Sequence, residues 1–372
     1  MSRRILILLV AIVFVHVACV DSRDQESAEQ AIPDQDVSLD KLRIELESQR
    51  LIPKEDPFVQ RDFKPYRDDE WIGNAVSYGA YRKGQAPGRN GPSEEEILED
   101  LTLITNHWKL IRVYNADDDC ERILHVIRKH GFPIKVMIGV WLEGEDRKPE
   151  KREANIKNVL RSIELANANP DIVAAINVGN ETQVFWTAHG MKAENLIRYI
   201  RAVRNHTEVP VTTADDYNFW NKSESKDVAE EVDFIVSHMY AMWNGIVLEH
   251  AVEWTDSIYH AVQRFHPEKT VVIGETGWAT TYNSEKTGPD EQGTLIKGKV
   301  SLQAQEEFLI GLHRWVNENR ITTFLFEAFD EPWKGGGEES GPDEVEKHWG
   351  VFYEDRTPKK SFQNFLKQIN QE

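Results

Sequence analysis

The sequence predicts an α/β protein built as a single (β/α)8 barrel. Eight short apolar runs rich in β-branched residues occur between residues 71 and 331. Amphipathic segments with helical spacing separate most of these runs, which predicts parallel βαβ units. The alternation occupies about 300 residues, a normal size for one such barrel. An open doubly wound sheet is the alternative, but no glycine-rich phosphate loop follows the first run.

The predicted strands end on one common face. In chain order they are WIGNAVSYG (71–79), LIRVYN (110–115), IKVMIGVW (134–141), IVAAINVGNE (172–181), VPVTTADD (209–216), VDFIVSHMY (232–240), TVVIGETGW (270–278) and TTFLFEAFDE (322–331). In a barrel of this kind the active site lies at the C-terminal ends of the strands. Side chains at the ends of these runs are therefore the first candidates for function.

Helix signals fill most of the gaps between the strands. Ser93 followed by Glu96 predicts a capping box at the start of the first helix. The segment DDDCERILHVIRKHG has acids at its start, bases at its end and Gly131 as a stop. We interpret the run NADDD as the N-terminus of this helix and not as a metal site, because no histidine accompanies it at ligand spacing. The segment SESKDVAEE is short and predicts only a weak helix.

The first 65 residues are predicted to lie outside the barrel domain, which we place at 66–372. Arg3 and Arg4 precede an apolar stretch too short for an ordinary membrane-spanning helix, so residues 1–18 predict a signal peptide. Cys19 resembles the lipidated cysteine of bacterial lipoproteins, with an ordinary signal peptide as the alternative. Residues 19–65 are polar and acidic and predict a lipid-anchored linker. Within it, LDKLRIELESQRLI could form one amphipathic helix that docks on the domain.

Composition narrows the partners and the compartment. A net charge of −19 disfavours contact with phosphate backbones, so we expect no nucleic-acid partner. If Cys19 is lipidated, Cys120 has no disulfide partner and is expected to be a half-buried structural thiol. We expect an exported monomer, held on the cell envelope through its lipid anchor and facing the periplasm or the exterior. Secretion is the alternative.

Two glutamates end predicted strands on the functional face. Glu181 ends the fourth run and Glu275 ends the seventh. Glycoside hydrolysis needs such a carboxylate pair: one protonates the leaving oxygen while the other attacks or activates water. A single glutamate after a strand is as often a helix cap or an ion-pair partner, but two on one face favour catalysis. His238, on the sixth run, fits equally a core histidine or a site residue. No metal or organic cofactor is expected.

Aromatic residues gather on the same face. A tryptophan near a strand end can stack on the apolar face of a sugar, although any single one is more often packing. The candidate substrate-binding side chains at strand ends are Tyr78, Arg112, Trp141 and Trp278. Six of the eleven tryptophans lie at or just past strands three to eight: Trp141, Trp186, Trp220, Trp243, Trp278 and Trp333.

The motifs INVGNE, VVIGETGW and FEAFDEPWK, in this order, resemble glycoside hydrolase family 17 of clan A. Within that family they are closest to the fungal and bacterial β-1,3-glucanases, and the resemblance covers roughly residues 71–360. It implies Glu181 as general acid/base, Glu275 as nucleophile and Asn180 as a ligand of the sugar 2-hydroxyl. It also implies that Tyr240 lies near the nucleophile and that a polar cluster lies near the catalytic centre: Glu331, Lys334 and Glu346. Ala241 stands where the family often has proline, which leaves the loop shape there open.

The resemblance implies hydrolysis of laminarin-type β-1,3-glucan by double displacement with retention. A β-1,3-glucan transglycosylase of the same fold would share the chemistry, because only the acceptor of the sugar differs. A non-catalytic, lipid-anchored glycan-binding protein is an alternative from another class. Another clan A specificity, such as β-mannan or β-galactan, is a third. The sequence leaves endo or exo action and tolerance of β-1,6 branches undetermined.

Overall fold

Eight parallel strands form a closed barrel. The computed structural model describes residues 35–285 and 294–371. The barrel strands are β1 Asn74–Ser77, β2 Leu110–Arg112, β3 Lys135–Val140, β4 Val173–Asn180, β5 Val211–Asp216, β6 Ile235–His238, β7 Val271–Thr276 and β8 Thr323–Leu325. β8 pairs in parallel with both β7 and β1, which closes the sheet. The predicted (β/α)8 barrel is confirmed.

Helices surround the barrel and begin where the sequence signals them. They are α1 Gln35–Glu47, α2 Glu94–Thr105, α3 Asp118–His130, α4 Arg152–Ala168, α5 Ala193–Arg204, α6 Tyr217–Trp220, α7 Lys226–Ala229, α8 Ala251–Phe265, α9 Leu302–Asn319 and α10 Lys360–Ile369. Ser93 and Glu96 form the predicted reciprocal capping box of α2. Gly131 ends α3 in the left-handed conformation. The weak segment SESKDVAEE folds only as the 3-10 turn Ser223–Ser225 followed by the four-residue helix α7. Among the described residues, no helix has the length and apolar character needed to cross a bilayer.

The strands are shorter than the predicted runs at both ends, and most of all at the C-terminal end of the last run. The last run was predicted over ten residues, 322–331, but β8 covers only Thr323–Leu325. Phe326 and Ala328 still donate their backbone N–H groups to Thr276 of β7 and Ser77 of β1, but the N–H of Asp330 donates to the carbonyl of Phe352, outside the barrel strands. This departure frees the chain after β8 to carry polar side chains onto the C-terminal face.

The described part of the predicted linker packs on the barrel. α1 contacts α4 and α5, and its Leu42 and Leu46 are buried. Further along, Ile52 is buried and Phe63 stacks on Phe234 with ring centroids 4.5 Å apart. Docking of the predicted helix is thus observed, and the domain begins well before residue 66, which corrects the predicted boundary.

Two further expectations concern the cysteines and the N-terminus. Cys120 is fully buried in α3, rather than half-buried, and burial raises the pKa of its thiol. Such a thiol is a structural group with little thiolate available for reaction. The predicted signal peptide and the lipidation site at Cys19 lie outside the described residues.

Candidate active site

Glu275 lies at the end of β7 in a shell of donors. Arg112 Nη1, on β2, donates to Glu275 Oε1 at 2.6 Å. Tyr240, after β6, donates its hydroxyl to Oε2 at 2.7 Å, and the Tyr114 hydroxyl is 3.2 Å from Oε1. Burial alone would raise the pKa of Glu275, but the positive charges of His238 and Arg112 outweigh it and lower the pKa to about 2. The carboxylate is therefore ionised and fixed in position.

Glu181 directly follows β4 and is the more accessible of the two carboxylates. Its side chain is 28% exposed, compared with 8% for that of Glu275. Its backbone N–H donates to the carbonyl of Ala214, and its φ of 49° is uncommon for a residue with a side chain. Oε1 lies 2.8 Å from His238 Nδ1. A carboxylate that is partly open to solvent can reach both a leaving group and a water molecule.

His238 connects the two glutamates. It ends β6, is buried, and is in register with Asp216 on one side and Glu275 on the other. Nδ1 contacts Glu181, and Nε2 is 3.4 Å from Glu275 Oε1. The sequence left this histidine open between core and site. Strand alternation was the signal that could have decided it, because residues two positions apart along a strand lie on the same face. His238 shares its face with Phe234 and Val236, which belong to the inner barrel cluster, and with Tyr240.

Asn180 and Trp141 lie on the Glu181 side of the site. Arg112 Nη2 donates to Asn180 Oδ1 at 2.5 Å, so one guanidinium holds both Asn180 and Glu275. His189 Nε2 is 2.8 Å from the Asn180 carbonyl oxygen and stacks, tilted, on Trp141 with ring centroids 4.6 Å apart. The structure thus gathers Arg112, Asn180 and Trp141 around the two glutamates.

Two buried aspartates end β5 behind Glu181. Burial raises the pKa of Asp215 to about 8 and that of Asp216 to about 6, and the charge of Glu181 adds to both shifts. Asp215 Oδ2 accepts from the backbone N–H of Gln183 at 2.8 Å and so fixes the loop that follows Glu181. Despite these acids, no group of three or more His, Cys, Asp or Glu within 35–285 and 294–371 is placed to hold a metal ion.

A second polar group follows β8. We call it the carboxylate–lysine cluster; it consists of Glu327, Glu331 and Lys334. Lys334 Nζ is 2.6 Å from an oxygen of each glutamate. Burial raises the pKa of Glu327 well above its usual value. Burial opposes ionisation of Glu331 too, but Lys334 and a bond from Glu327 lower its pKa. Glu327 therefore holds the proton of the pair. Gly79 leaves the space for this cluster, because a Cβ there would meet Glu331 Oε1 at 2.1 Å.

Two predicted substrate-binding residues face elsewhere, which corrects the prediction. Tyr78 is buried and donates its hydroxyl to Asp100 of α2 at 3.0 Å. Trp278 is only 1% exposed, its ring packs against Phe308 of α9, and its indole N–H donates to the carbonyl of Lys299. Neither side chain offers a surface on which a sugar could stack, so both stabilise the fold.

The remaining candidate residues at or after the strand ends differ in their exposure to solvent. Trp220 is buried, whereas Trp141, Trp243 and Trp333 are partly exposed. Trp186 is 49% exposed and packs edge-on against Phe185, which is 91% exposed. Glu346 is half-buried in the loop after the carboxylate–lysine cluster. It lies close to Gly335, since a Cβ added to that glycine would be 3.2 Å from the Cβ of Glu346.

A large cavity on the side of β1, β7 and β8 does not include the glutamate pair. It has a volume of about 1680 Å³ and is lined by residues of the loops after β1, β7 and β8, among them Lys83, Arg89, Trp333 and Tyr353. Neither Glu181 nor Glu275 is in its lining. Cavity size therefore does not identify the reacting groups here, and the assignment rests on the contacts of the carboxylates themselves.

Comparisons with known proteins converge on one family. Residues 75–350 match the model described as the BtgE/BtgC glycoside hydrolase domain. A glucan 1,3-beta-glucosidase of Arthroderma benhamiae is 28% identical over 277 residues, which is 72% of this chain and 83% of that protein. A putative glucan endo-1,3-beta-glucosidase of Aspergillus niger is 29% identical over 280 residues, 70% of this chain but only 39% of that protein.

Solved structures share the fold. An endo-laminarinase from Formosa has a TM-score of 0.68 and 25% identity, over 80% of this chain and 88% of that one. A glycoside hydrolase family 17 beta-1,3-glucanosyltransferase from Rhizomucor miehei has a TM-score of 0.59 and 23% identity, over 77% of this chain and 96% of that one.

Proposed function

Because the chain belongs to the BtgE/BtgC glycoside hydrolase family, as its family-17-like motifs predicted, we propose that it hydrolyses laminarin-type β-1,3-glucan. In this proposal Glu275 is the nucleophile, Glu181 is the general acid/base, and the anomeric configuration is retained. The observation that carries it is the contrast between the two carboxylates. Glu275 is buried and ionised among three donors, whereas Glu181 is partly open, and a single imidazole contacts both.

The first half-reaction forms a glycosyl ester. The ionised Glu275 attacks the anomeric carbon while the bond from that carbon to the leaving oxygen breaks. Glu181, protonated at this stage, gives its proton to the leaving oxygen. In the second half-reaction Glu181 removes a proton from water, which attacks the same carbon and releases Glu275. The proton returns to Glu181, so both groups end as they began.

The neighbouring side chains orient the partners. Arg112 and Tyr240 hold the two oxygens of Glu275, which leaves little freedom for the nucleophile to rotate. Asn180, fixed by Arg112, is proposed to bind the sugar 2-hydroxyl. Trp141, supported by His189, provides a partly exposed ring for stacking on a sugar face. The carboxylate–lysine cluster and Glu346 are proposed to bind hydroxyls on the side of β8.

The proposal is tested with purified protein and laminarin. We expect Glu181→Ala to lower kcat/KM about 10²–10⁴-fold, the usual contribution of general acid–base catalysis. With 2,4-dinitrophenyl β-laminaribioside, whose leaving group needs no proton, sodium azide should restore turnover in this variant and yield a β-glycosyl azide, since the anion attacks the glycosyl ester without help from a base. Glu275→Ala should abolish turnover, and sodium azide should not restore formation of a β-configured product. Glu164→Ala, on the exposed side of α4, is the control.

Unchanged laminarin cleavage by Glu275→Ala would contradict the mechanism. Binding of laminarin without cleavage by the wild type would favour the glycan-binding alternative.

Transfer to a second sugar is the alternative fate of the same ester. The exposed Phe185 and Trp186 lie in the loop that directly follows Glu181, on the side where a leaving or accepting sugar would be protonated or deprotonated. Exposed aromatics there favour binding of an acceptor. Chromatography of products at low and high laminari-oligosaccharide concentration separates the two outcomes, because only transfer gives products longer than the substrate.

A further inference from the structure

His238 reaches both glutamates with different atoms of its ring. Nδ1 is 2.8 Å from Glu181 Oε1, and Nε2 is 3.4 Å from Glu275 Oε1. The second contact is too poorly aligned to count as a hydrogen bond, so Nε2 is otherwise unbonded in a buried setting. The short contact, to Glu181, is therefore the stronger one. A proton can lie on either side of a contact of that length between a carboxylate and an imidazole.

The strand next to His238 is shaped to admit the ring. A Cβ at Gly274 would lie 2.3 Å from Val236 Cγ1 and 3.0 Å from His238 Cδ2. A side chain at that position would displace Val236 first and would crowd the imidazole as well. The glycine of the VVIGET segment thus leaves room for both side chains of β6.

The groups that surround the imidazole are mostly acidic. Glu181 after β4, Asp215 and Asp216 on β5 and Glu275 on β7 face it, and the cation Arg112 on β2 opposes them. The neutral Tyr240, two residues after His238, is bonded to Glu275. Burial disfavours a charged imidazole, but Glu275 and Glu181 raise the pKa of His238. The setting favours retention of a proton at this point.

We propose that His238 is a positioning residue that holds, jointly with Glu181, the proton used for acid catalysis; this rests on the proposed function. In the resting enzyme one proton lies between Glu181 Oε1 and His238 Nδ1 while Glu275 is an anion. It passes through Glu181 to the leaving oxygen when the glycosyl ester forms. Glu181, with His238 again sharing the charge, recovers a proton from the attacking water. No other reactant is required.

The test is the pH profile of kcat/KM for laminarin in His238→Asn. The proton has two sites in the wild type and one in the variant, so the variant loses it at lower pH. We expect the basic limb to move down by about one pH unit, the typical effect of one hydrogen bond to a charged group. We expect kcat/KM at the optimum to fall about tenfold to a hundredfold, part of the usual contribution of acid–base catalysis. His266→Asn, at a buried histidine bonded to Trp220 and Ser225, is the matched control and should keep the wild-type limbs.

An activated substrate separates proton supply from a structural role. A 2,4-dinitrophenyl β-laminaribioside needs no protonation of its leaving group, so kcat/KM for it should be nearly unchanged in His238→Asn. An equal loss on both substrates with unshifted limbs would overturn the proposal. If His238→Asn does not fold, ¹⁵N NMR of wild type and Glu181→Gln replaces it: the titration of the histidine near Glu181 should move between the two, and no movement would contradict the shared proton. A wild type that leaves laminarin uncleaved would contradict the proposed function instead.

Discussion

At the scale of single residues, two chemically identical groups lie in different surroundings, which supports the different roles proposed for them. Glu275 is buried and bonded to Arg112 and Tyr240, which keeps it ionised. Glu181 is partly exposed, and its side-chain contact is with His238. Carboxylates in such different surroundings are the usual way in which one site obtains both a nucleophile and an acid.

Arg112 should set the acid limit of activity. The pKa of Glu275 is lowered, so the nucleophile is ionised above that pKa and lost as pH falls through it. Arg112→Met removes one of the two cations that lower this pKa, so we expect the acid limb of kcat/KM to move to higher pH. The pH profile on laminarin measures the shift. Arg128→Met, which breaks an exposed ion pair with Asp171, is the control. An unmoved acid limb would show that Arg112 does not tune the nucleophile.

Single residues also mark the limit of what the sequence could predict. The sequence predicted that Glu181 and Glu275 lie near each other because each ends a buried strand, and the structure brings both into contact with His238. Trp278 follows Glu275 by only three residues, yet it turns outward against Phe308, since the chain leaves the regular strand at that point and alternation no longer predicts direction. Tyr78 was misplaced because its partner, Asp100, comes from a different element.

At the scale of elements, the number and order of strands followed from local pattern, whereas their ends did not. All eight runs became barrel strands, and α2, α3 and α9 begin at Ser93, Asp117 and Ser301, whose side chains cap them. β8 was overestimated because FEAFDE looks strand-like in isolation. Its second half bonds to the segment around Phe352, a long-range pairing that no local pattern encodes.

The docking of α1 makes a stability prediction. Leu46 is fully buried between α1 and the barrel helices, so Leu46→Ala should lower the free energy of unfolding by about 2–4 kcal/mol. Ile44 on the same helix is 64% exposed, and Ile44→Ala should change it by less than about 0.5 kcal/mol. Urea unfolding followed by tryptophan fluorescence measures both. Equal effects of the two substitutions would mean that α1 does not pack as described.

At the scale of the whole molecule, the N-terminal segment approaches the barrel away from the active site. α1 lies on the helix layer against α4 and α5. Phe63 then stacks on Phe234, which directly precedes β6 and so lies at the opposite end of the barrel from Glu181 and Glu275. An attachment upstream of α1 would therefore leave the C-terminal face open to a large polysaccharide.

This geometry is compatible with the proposed lipid anchor at Cys19. If Cys19 is lipidated, the wild type expressed in a bacterial host should sediment with membranes and incorporate labelled palmitate. Cys19→Ala should be released into the soluble fraction without the label, because the cysteine that would carry the lipid is gone. Its kcat/KM on laminarin should equal that of detergent-solubilised wild type, since the anchor lies far along the chain from the glutamates. Cys120→Ala is the control for loss of a thiol and should still be labelled. Soluble, unlabelled wild-type protein would favour an ordinary signal peptide and secretion.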